Sequence, residues 1–571
     1  MQNSYNYHYI MRIKSLVLTA LSLALFSTGA SAASLRDIET RGTLTSAQNG
    51  QIDGNIWSGL SRAEALLLIR SLPDKYASPI YYELARRLLL SDAPALGADK
   101  NGKTPVDDKG NPVAVNPNAP DVLIARLDKL LAMGAIRDAE TLYAAVVPEN
   151  VDDFDLVLRN QQILMLRGQL SAACLDLQAV QKQHSGNAKW QELNRLCRVQ
   201  FMAGGAERDR LLSEKKFVEF PQLGNYLRGR GAGGYRSLSV EDMAFAVATK
   251  QINEGTLRYL TSQAGNLPPL LLSVLYNMDT GLDVPEKTCL AIESARRGII
   301  TTRDLITLYE KPHYDSALLL QNLGTNPSGA IHPCMVPTVM YQRIASNKDL
   351  PARDQTIRSA LDIMGDLPDA AFWPMSVYFE DFDIHASANK PYLWRLTRIT
   401  AYEKDELPSA WRDWDDQNGL PGISPFWPVQ AIMSPSGNEA QEMDLWKTQW
   451  PDQANRILGR DPALPLLLGL ALSPKDGKTS KNLKTNLYDY ENILPLTFSR
   501  SYSMPSFGLT QRLSNVIKNN QTGQSVALLL IGYGAIPPDQ VIPTQVALVI
   551  DGLNRAGLGR YSRRFGLEVL R

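Results

Sequence analysis

Gly or Pro interrupts this chain about every 12 to 20 residues, and between the breaks apolar side chains recur at three- and four-residue spacing. A period near 3.6 lines those side chains along one face of a helix. The breaks hold each helix to about three turns. A chain of this kind buries its stripes by packing short helices side by side, antiparallel, through tight connections. The clearest stripes run over residues 121–133, 136–147, 171–183, 188–202 and 355–364, with a final pair over 544–556 and 560–570 around Gly557. Alternating strand patterns are hard to find. The predicted fold class is all-α.

A degenerate repeat is embedded in these helices. Gly134-Ala-Ile-Arg-Asp-Ala139 and Gly168-Gln-Leu-Ser-Ala-Ala173 share Gly, an aliphatic residue two positions on and Ala five positions on, with the glycines 34 residues apart. A third unit, Met202-Ala-Gly-Gly-Ala-Glu207, follows after 36 to 37 residues. The Gly permits close helix approach, and the Ala packs at the crossing. On this spacing the stretch over about 121–215 resembles tetratricopeptide-like α-solenoid proteins of the periplasm. The resemblance implies a right-handed superhelix of antiparallel helix pairs; the alternative is an irregular helical bundle. The expected organisation is a leader over 1–32, N-terminal helices over 33–95 and a polar loop or small hairpin over 96–120. Helical repeats over 121–370, an aromatic-rich helical region over 371–450 and a C-terminal helical segment over 451–571 complete it.

The leader sets the expected compartment. Arg12 and Lys14 precede an apolar run over 15–26, and Ala30-Ser31-Ala32 has the small-residue pattern of a cleavage site. That order of features predicts a secretory signal peptide, with Met11 as a candidate start and cleavage after Ala32. The apolar run is shorter than the roughly 20 residues a spanning helix needs, and later apolar runs are shorter still. A soluble periplasmic protein is expected. The whole chain carries 59 basic and 59 acidic residues, and loss of the leader would leave it near −2. Neither a nucleic-acid footprint nor a polybasic lipid tether follows from such a balance.

Export permits disulfides among Cys174, Cys197, Cys289 and Cys334. Leu170, Cys174, Leu177 and Val180 fall on one helix face, and Trp190, Leu193 and Cys197 on one face of the next. Their midpoint lies in the turn His184-Ser-Gly-Asn187, so an antiparallel hairpin sets Cys174 level with Cys197, and a bridge is expected. Spacing leaves the pairing of Cys289 with Cys334 open.

Motifs that suggest chemistry lack their structural setting. Gly97 to Thr104 fits the phosphate-loop pattern, but a helical Leu-rich stretch precedes it and Pro105 follows, where the chemistry needs a strand before and a helix after. Gly229-Arg-Gly231-Ala-Gly-Gly234 fits a dinucleotide fingerprint with no strand ahead of it; Arg228, Arg230 and Arg236 make it a cationic turn with an edge for anions or a partner. The acidic run from Trp411 to Gly419 is out of phase for a calcium loop and has Pro425 where the closing Glu belongs. His332-Pro-Cys334, with Cys289 and His313 elsewhere, matches no zinc or Cys–His nucleophile spacing. No cofactor, metal or catalytic residue is assigned.

Seven of the nine tryptophans lie in 373–450. Their helical spacing favours a core role, while Trp411 and Trp414 are candidate partner contacts. Two functional readings follow. One is a non-enzymatic scaffold or adaptor that holds another envelope protein or complex. The other is a peptidoglycan hydrolase or its accessory, since soluble lytic transglycosylases have a similar helical superhelix. Their catalytic E-S-x-F and G-x-M-Q-L-M motifs are absent, and Glu380, Asp381 and Asp383 form the nearest acidic cluster beside aromatic residues.

Overall fold

Helices account for nearly all regular structure in the computed structural model, and no strand occurs among the described residues, only the isolated bridges Leu44–Ser91 and Ser503–Val541. The structure describes residues 38–52, 56–93, 119–148, 153–179, 184–201, 205–213, 254–277, 282–311, 332–382, 391–408, 422–458 and 503–571. Ser58, Asp381, Pro435 and Gly437 are left out of these ranges, and Leu96, Val218, Ala246 and Trp411 are added. The expected leader, Val180, the Gly97–Thr104 and Gly229–Gly234 motifs, Arg228, Arg230, Arg236, His313 and Trp414 lie outside the described residues.

Two helices, α1 (Arg62–Ser71) and α2 (Pro79–Leu90), lead the chain. The pairs α3 (Asp121–Ala132) with α4 (Ile136–Val146), α5 (Phe154–Leu166) with α6 (Leu170–Ala179), and α7 (Ala188–Phe201) with α8 (Ala206–Ser213) follow. Then come α9 (Glu254–Ser262), α10 (Pro269–Asn277), α11 (Val284–Arg296), α12 (Thr302–Glu310), α13 (Val336–Ser346) and α14 (Leu350–Ile363). The aromatic-rich middle holds α15 (Pro391–Lys404), α16 (Trp427–Met433) and α17 (Glu439–Gln449), followed by α18 (Pro451–Leu458). The last pairs are α19 (Phe507–Lys518) with α20 (Thr522–Tyr533) and α21 (Pro543–Arg555) with α22 (Gly559–Val569).

Local sequence explains the helix starts. Ser61 with Glu64, Asp283 with Glu286, and Thr301 with Asp304 form reciprocal caps that satisfy amides at the helix entry. Ser78 caps α2 ahead of Pro79. The stripe at 355–364 begins one turn late, because α14 starts at Leu350 under an Asp349 cap with Pro351 in the first turn. Leu350 points outward, 52 % exposed, and so contributes nothing to the buried stripe.

One turn recurs between the helices of a pair. Gly134, Gly168, Gly298 and Gly557 all have φ between 71° and 81°. In each case the next residue reaches back five positions: Ala135 N–H to the Leu130 carbonyl, Gln169 to Leu164, Ile299 to Ser294 and Leu558 to Leu553, at 2.8–2.9 Å. These are Schellman turns, in which a left-handed residue closes off the helix carbonyls. Asn520, at φ 54°, makes the same turn, with Gln521 N–H on the Val516 carbonyl at 3.0 Å.

The turns differ in what presses on them. A Cβ at Gly134 would stand 2.6 Å from the Pro269 carbonyl oxygen and 2.9 Å from Ser273 Cβ, whereas one at Gly168 would meet nothing within 4 Å. Gly168→Ala should therefore cost about 1 kcal/mol for the left-handed backbone alone. Gly134→Ala should cost about 3 kcal/mol, because overpacking adds to the same strain. Urea unfolding of the two variants checks this; equal losses would show that the α10 contact yields freely.

A continuous core runs from Ile38 to Leu570. Besides its sequence neighbours, α2 packs against α20 and α22. Ala77 N–H donates to the Gly534 carbonyl at 2.9 Å, and Ser78 Oγ donates to Glu568 Oε1 at 2.9 Å. The first helices and the last thus complete one another's burial.

The aromatic middle belongs to this core. Trp373 stacks on Tyr402 with centroids 5.7 Å apart, and Trp427 packs on Trp446. Indole N–H groups of Trp394, Trp446 and Trp450 donate to the carbonyls of Leu570, Pro425 and Ile423. Trp411 corrects the expectation of an exposed contact: it is 2 % exposed and donates Nε1–H to the Phe382 carbonyl at 3.1 Å. An indole placed this way has no face left for a partner.

Candidate functional site

Three of the left-handed turns meet at one place. Gly134, Gly168 and Gly298 line a cleft of about 600 Å³ whose walls come from α2, α10, α11 and α12 and from the turns joining α3 to α4 and α5 to α6. Two of the turns pack closely because Gly presents no Cβ: Gly298 lies against Pro79 and Tyr82 in the same way that Gly134 lies against Pro269, while Gly168 stands open at the edge. Ser273 Oγ donates to the Gly134 carbonyl at 2.7 Å and holds α10 to the turn.

Charge in the cleft is uneven. Arg86 forms a two-point pair with Asp138, Nε to Oδ2 at 2.5 Å and an amino group to Oδ1 at 2.8 Å, and also pairs with Glu83. Burial alone would lower the Arg86 pKa, but these carboxylates outweigh it and raise it above its ordinary value. Asp304 is occupied in the Thr301 cap, and Arg167 pairs with Glu140 at 3.2 Å. Arg137, Lys287 and Lys311 make no ion pair among the described residues and leave the lining net positive. Tyr276 sits among them, its phenol pKa raised by burial and by Asp304. The arrangement suits an acidic or carboxylate-bearing ligand segment: a fixed floor with cationic side chains at the rim.

Gly134 and Gly168 were legible as repeat positions. Gly298 and the cationic set Arg137, Lys287 and Lys311 were not singled out. The available signal was Gly298 followed by the Thr301–Asp304 cap, which marks a helix–turn–helix as the first two glycines do.

The cysteines are bridged in two pairs. Cys174 on α6 joins Cys197 on α7 with Cα atoms 5.8 Å apart, as the hairpin register predicts. Trp190 Nε1–H donates to the Leu177 carbonyl beside it. The bridge closes 23 residues, a loop worth about 3 kcal/mol in the chain-entropy account. Cys289 on α11 joins Cys334, with Cα atoms 5.2 Å apart, across 45 residues. No cysteine is left free.

Of the acidic cluster, Glu380 pairs with Lys404 at 2.6 Å on the surface, while Asp381 and Asp383 lie outside the described residues. No helix among the described residues is long and apolar enough to cross a membrane. In comparisons with known proteins, no family model, no curated protein and no solved structure matches this chain. What fold and site define is a disulfide-bridged all-helical protein with a cationic cleft at its helix turns.

Proposed function

We propose that the protein is an exported, non-enzymatic adaptor that holds an acidic segment of another envelope protein in the cleft between its helix turns. The observation that carries this reading is the cleft itself, where the packed Gly134 and Gly298 turns supply a fixed floor and Lys287, Lys311 and Arg137 supply the charge. The recurring turn also supports a tetratricopeptide-like arrangement, in which helix pairs present a long surface to a partner. Bridging of all four cysteines supports an oxidising compartment, in keeping with a periplasmic address from the leader.

A photo-crosslinking amino acid at Lys287 or Lys311 tests the proposal in intact cells. A discrete adduct is expected from both positions, lost when the other lysine is changed to Glu, and the mature protein should begin at Ala33. Adducts only at a distant exposed site such as Phe507 would move the interface. Digestion of peptidoglycan sacculi by purified protein would favour the hydrolase reading instead.

A further inference from the structure

The two disulfides stand in different surroundings. Cys174 and Cys197 are 3 % and 2 % exposed, whereas Cys289 and Cys334 are only partly buried and line a second cleft of about 440 Å³ that opens to solvent. Thiol–disulfide exchange requires a thiolate to reach a sulfur, so access selects the second pair. Beside it stands His332, exposed, its Nδ1 accepting the Cys334 N–H at 3.3 Å as the cap of a short 3₁₀ turn. The ligand atoms of Cys289, His332 and Cys334 all lie within 4.8 Å of one another. Donors around a tetrahedral zinc ion, with Zn–S near 2.3 Å and Zn–N near 2.0 Å, sit about 3.3–3.8 Å apart. The three side chains therefore need only small rotations to enclose such an ion.

We propose that reduction of the Cys289–Cys334 bridge converts this corner into a binding site for a thiophilic divalent cation of the zinc class, held by Cys289, Cys334 and His332. The spacing of His332-Pro-Cys334 shows no such site because the third ligand comes from α11, 43 residues earlier than His332. The reductant is a dithiol. One of its thiolates attacks a bridge sulfur, the S–S bond breaks, and a mixed disulfide forms. The second thiol of the reductant closes on the first, so two electrons and two protons pass to the cysteines and the reductant leaves as its own disulfide. Metal binding then returns the two thiol protons to solvent. His332 coordinates through Nδ1, giving up the Cys334 N–H, or through Nε2 after the ring proton moves to Nδ1. The open side of the cleft admits water as a fourth ligand; of the carboxylates on its wall, Glu293 is held by Arg296 and Arg297 and Glu286 lies 3.9 Å from Arg258, so the site rests on its three own ligands. A covalent tie between α11 and the entry to α13 is thereby exchanged for a metal tie.

The test uses the full chain, reduced with dithiothreitol and freed of it under argon. Alkylation and peptide mapping should find two thiols, at Cys289 and Cys334, with Cys174–Cys197 still bridged. Cobalt(II), the probe ion, should then give thiolate-to-metal charge-transfer absorption at one equivalent, absent from the oxidised protein. His332→Ala should weaken binding by about tenfold or more through loss of one of three protein ligands. Cys334→Ser should abolish the band. Opening of Cys174–Cys197 first, no charge-transfer band in the reduced wild type, a band that persists in Cys334→Ser, or unchanged affinity in His332→Ala would each overturn the proposal.

Discussion

Replacing Arg126 by Met should destabilise the protein by about 3–5 kcal/mol, the cost of leaving buried polar groups without their charged partner. Arg126 on α3 is fully buried, and its guanidinium serves four backbone carbonyls. Nε donates to Leu89 at 2.7 Å, and the amino groups donate to Glu39 at 2.9 Å, Arg41 at 2.6 Å and Ser91 at 3.4 Å. These carbonyls belong to the turn segment before α1 and to the end of α2, where no helix supplies their hydrogen bonds. Burial lowers the Arg126 pKa to about 10, with Asp92 opposing the shift, so the ion persists at neutral pH through these acceptors. Arg126→Lys keeps the charge but has no planar fork to serve carbonyls on two segments, and should lose about 2 kcal/mol through the acceptors left unpaired. Urea unfolding measures both variants. A loss below about 1 kcal/mol in Arg126→Met would mean that water enters and satisfies the carbonyls.

Stability should also fall as the pH rises through neutrality, and Glu568 should be responsible for a definable part of that fall. Burial raises its carboxyl pKa to about 7, opposed by hydrogen bonds from Ser78 and Tyr402 and by Arg398 and Arg571. The buried Tyr81 feels the same carboxyl: its own pKa is raised by burial and by Glu568. The sign follows from the folded state's holding its proton more tightly than the unfolded chain. The contribution is full below the unfolded pKa near 4.5 and is lost as pH passes the folded value near 7. The whole shift corresponds to about 3 kcal/mol, and partial exposure of the residue reduces the expectation to about 2 kcal/mol. Glu568→Gln should flatten this part of the profile and melt higher than wild type at pH 8. A variant profile parallel to wild type between pH 5 and 8 would assign the dependence to other groups, of which the half-buried Glu403, its pKa also raised by burial, is the first to examine.

The helices were legible in the sequence because their stripes are local. Residues 121–133 and 136–147 became α3 and α4 with ends moved by one residue, and the Cys174–Cys197 bridge followed from the register of one hairpin. The recurring turn was only half legible. What repeats is a left-handed φ followed by a five-residue return bond, and Asn520 supplies that φ as well as Gly does. Gly298 and Gly557 also carry different neighbours from Gly134. A residue pattern built on Gly and Ala therefore finds two cases and passes over the rest. Trp411 was misjudged for another reason. Its acidic neighbours suggest a surface, while the carbonyl that receives its N–H belongs to Phe382, 29 residues away. Likewise the cleft gathers residues from Tyr82 to Lys311, and no window of sequence contains it.

The joint between α2 and the α20–α22 region has a consequence for how such a chain can change in evolution. An open stack of helix pairs tolerates the gain or loss of a unit, since each unit touches only its neighbours and the ends are free to move. Here Ser78 must meet Glu568, and Gly523 must slide against the Ile56 carbonyl so closely that a Cβ would stand 1.7 Å from its oxygen. An inserted or deleted pair would rotate one side of that joint away from the other. Gain or loss of a helix pair would therefore have to be matched by a compensating change at that joint.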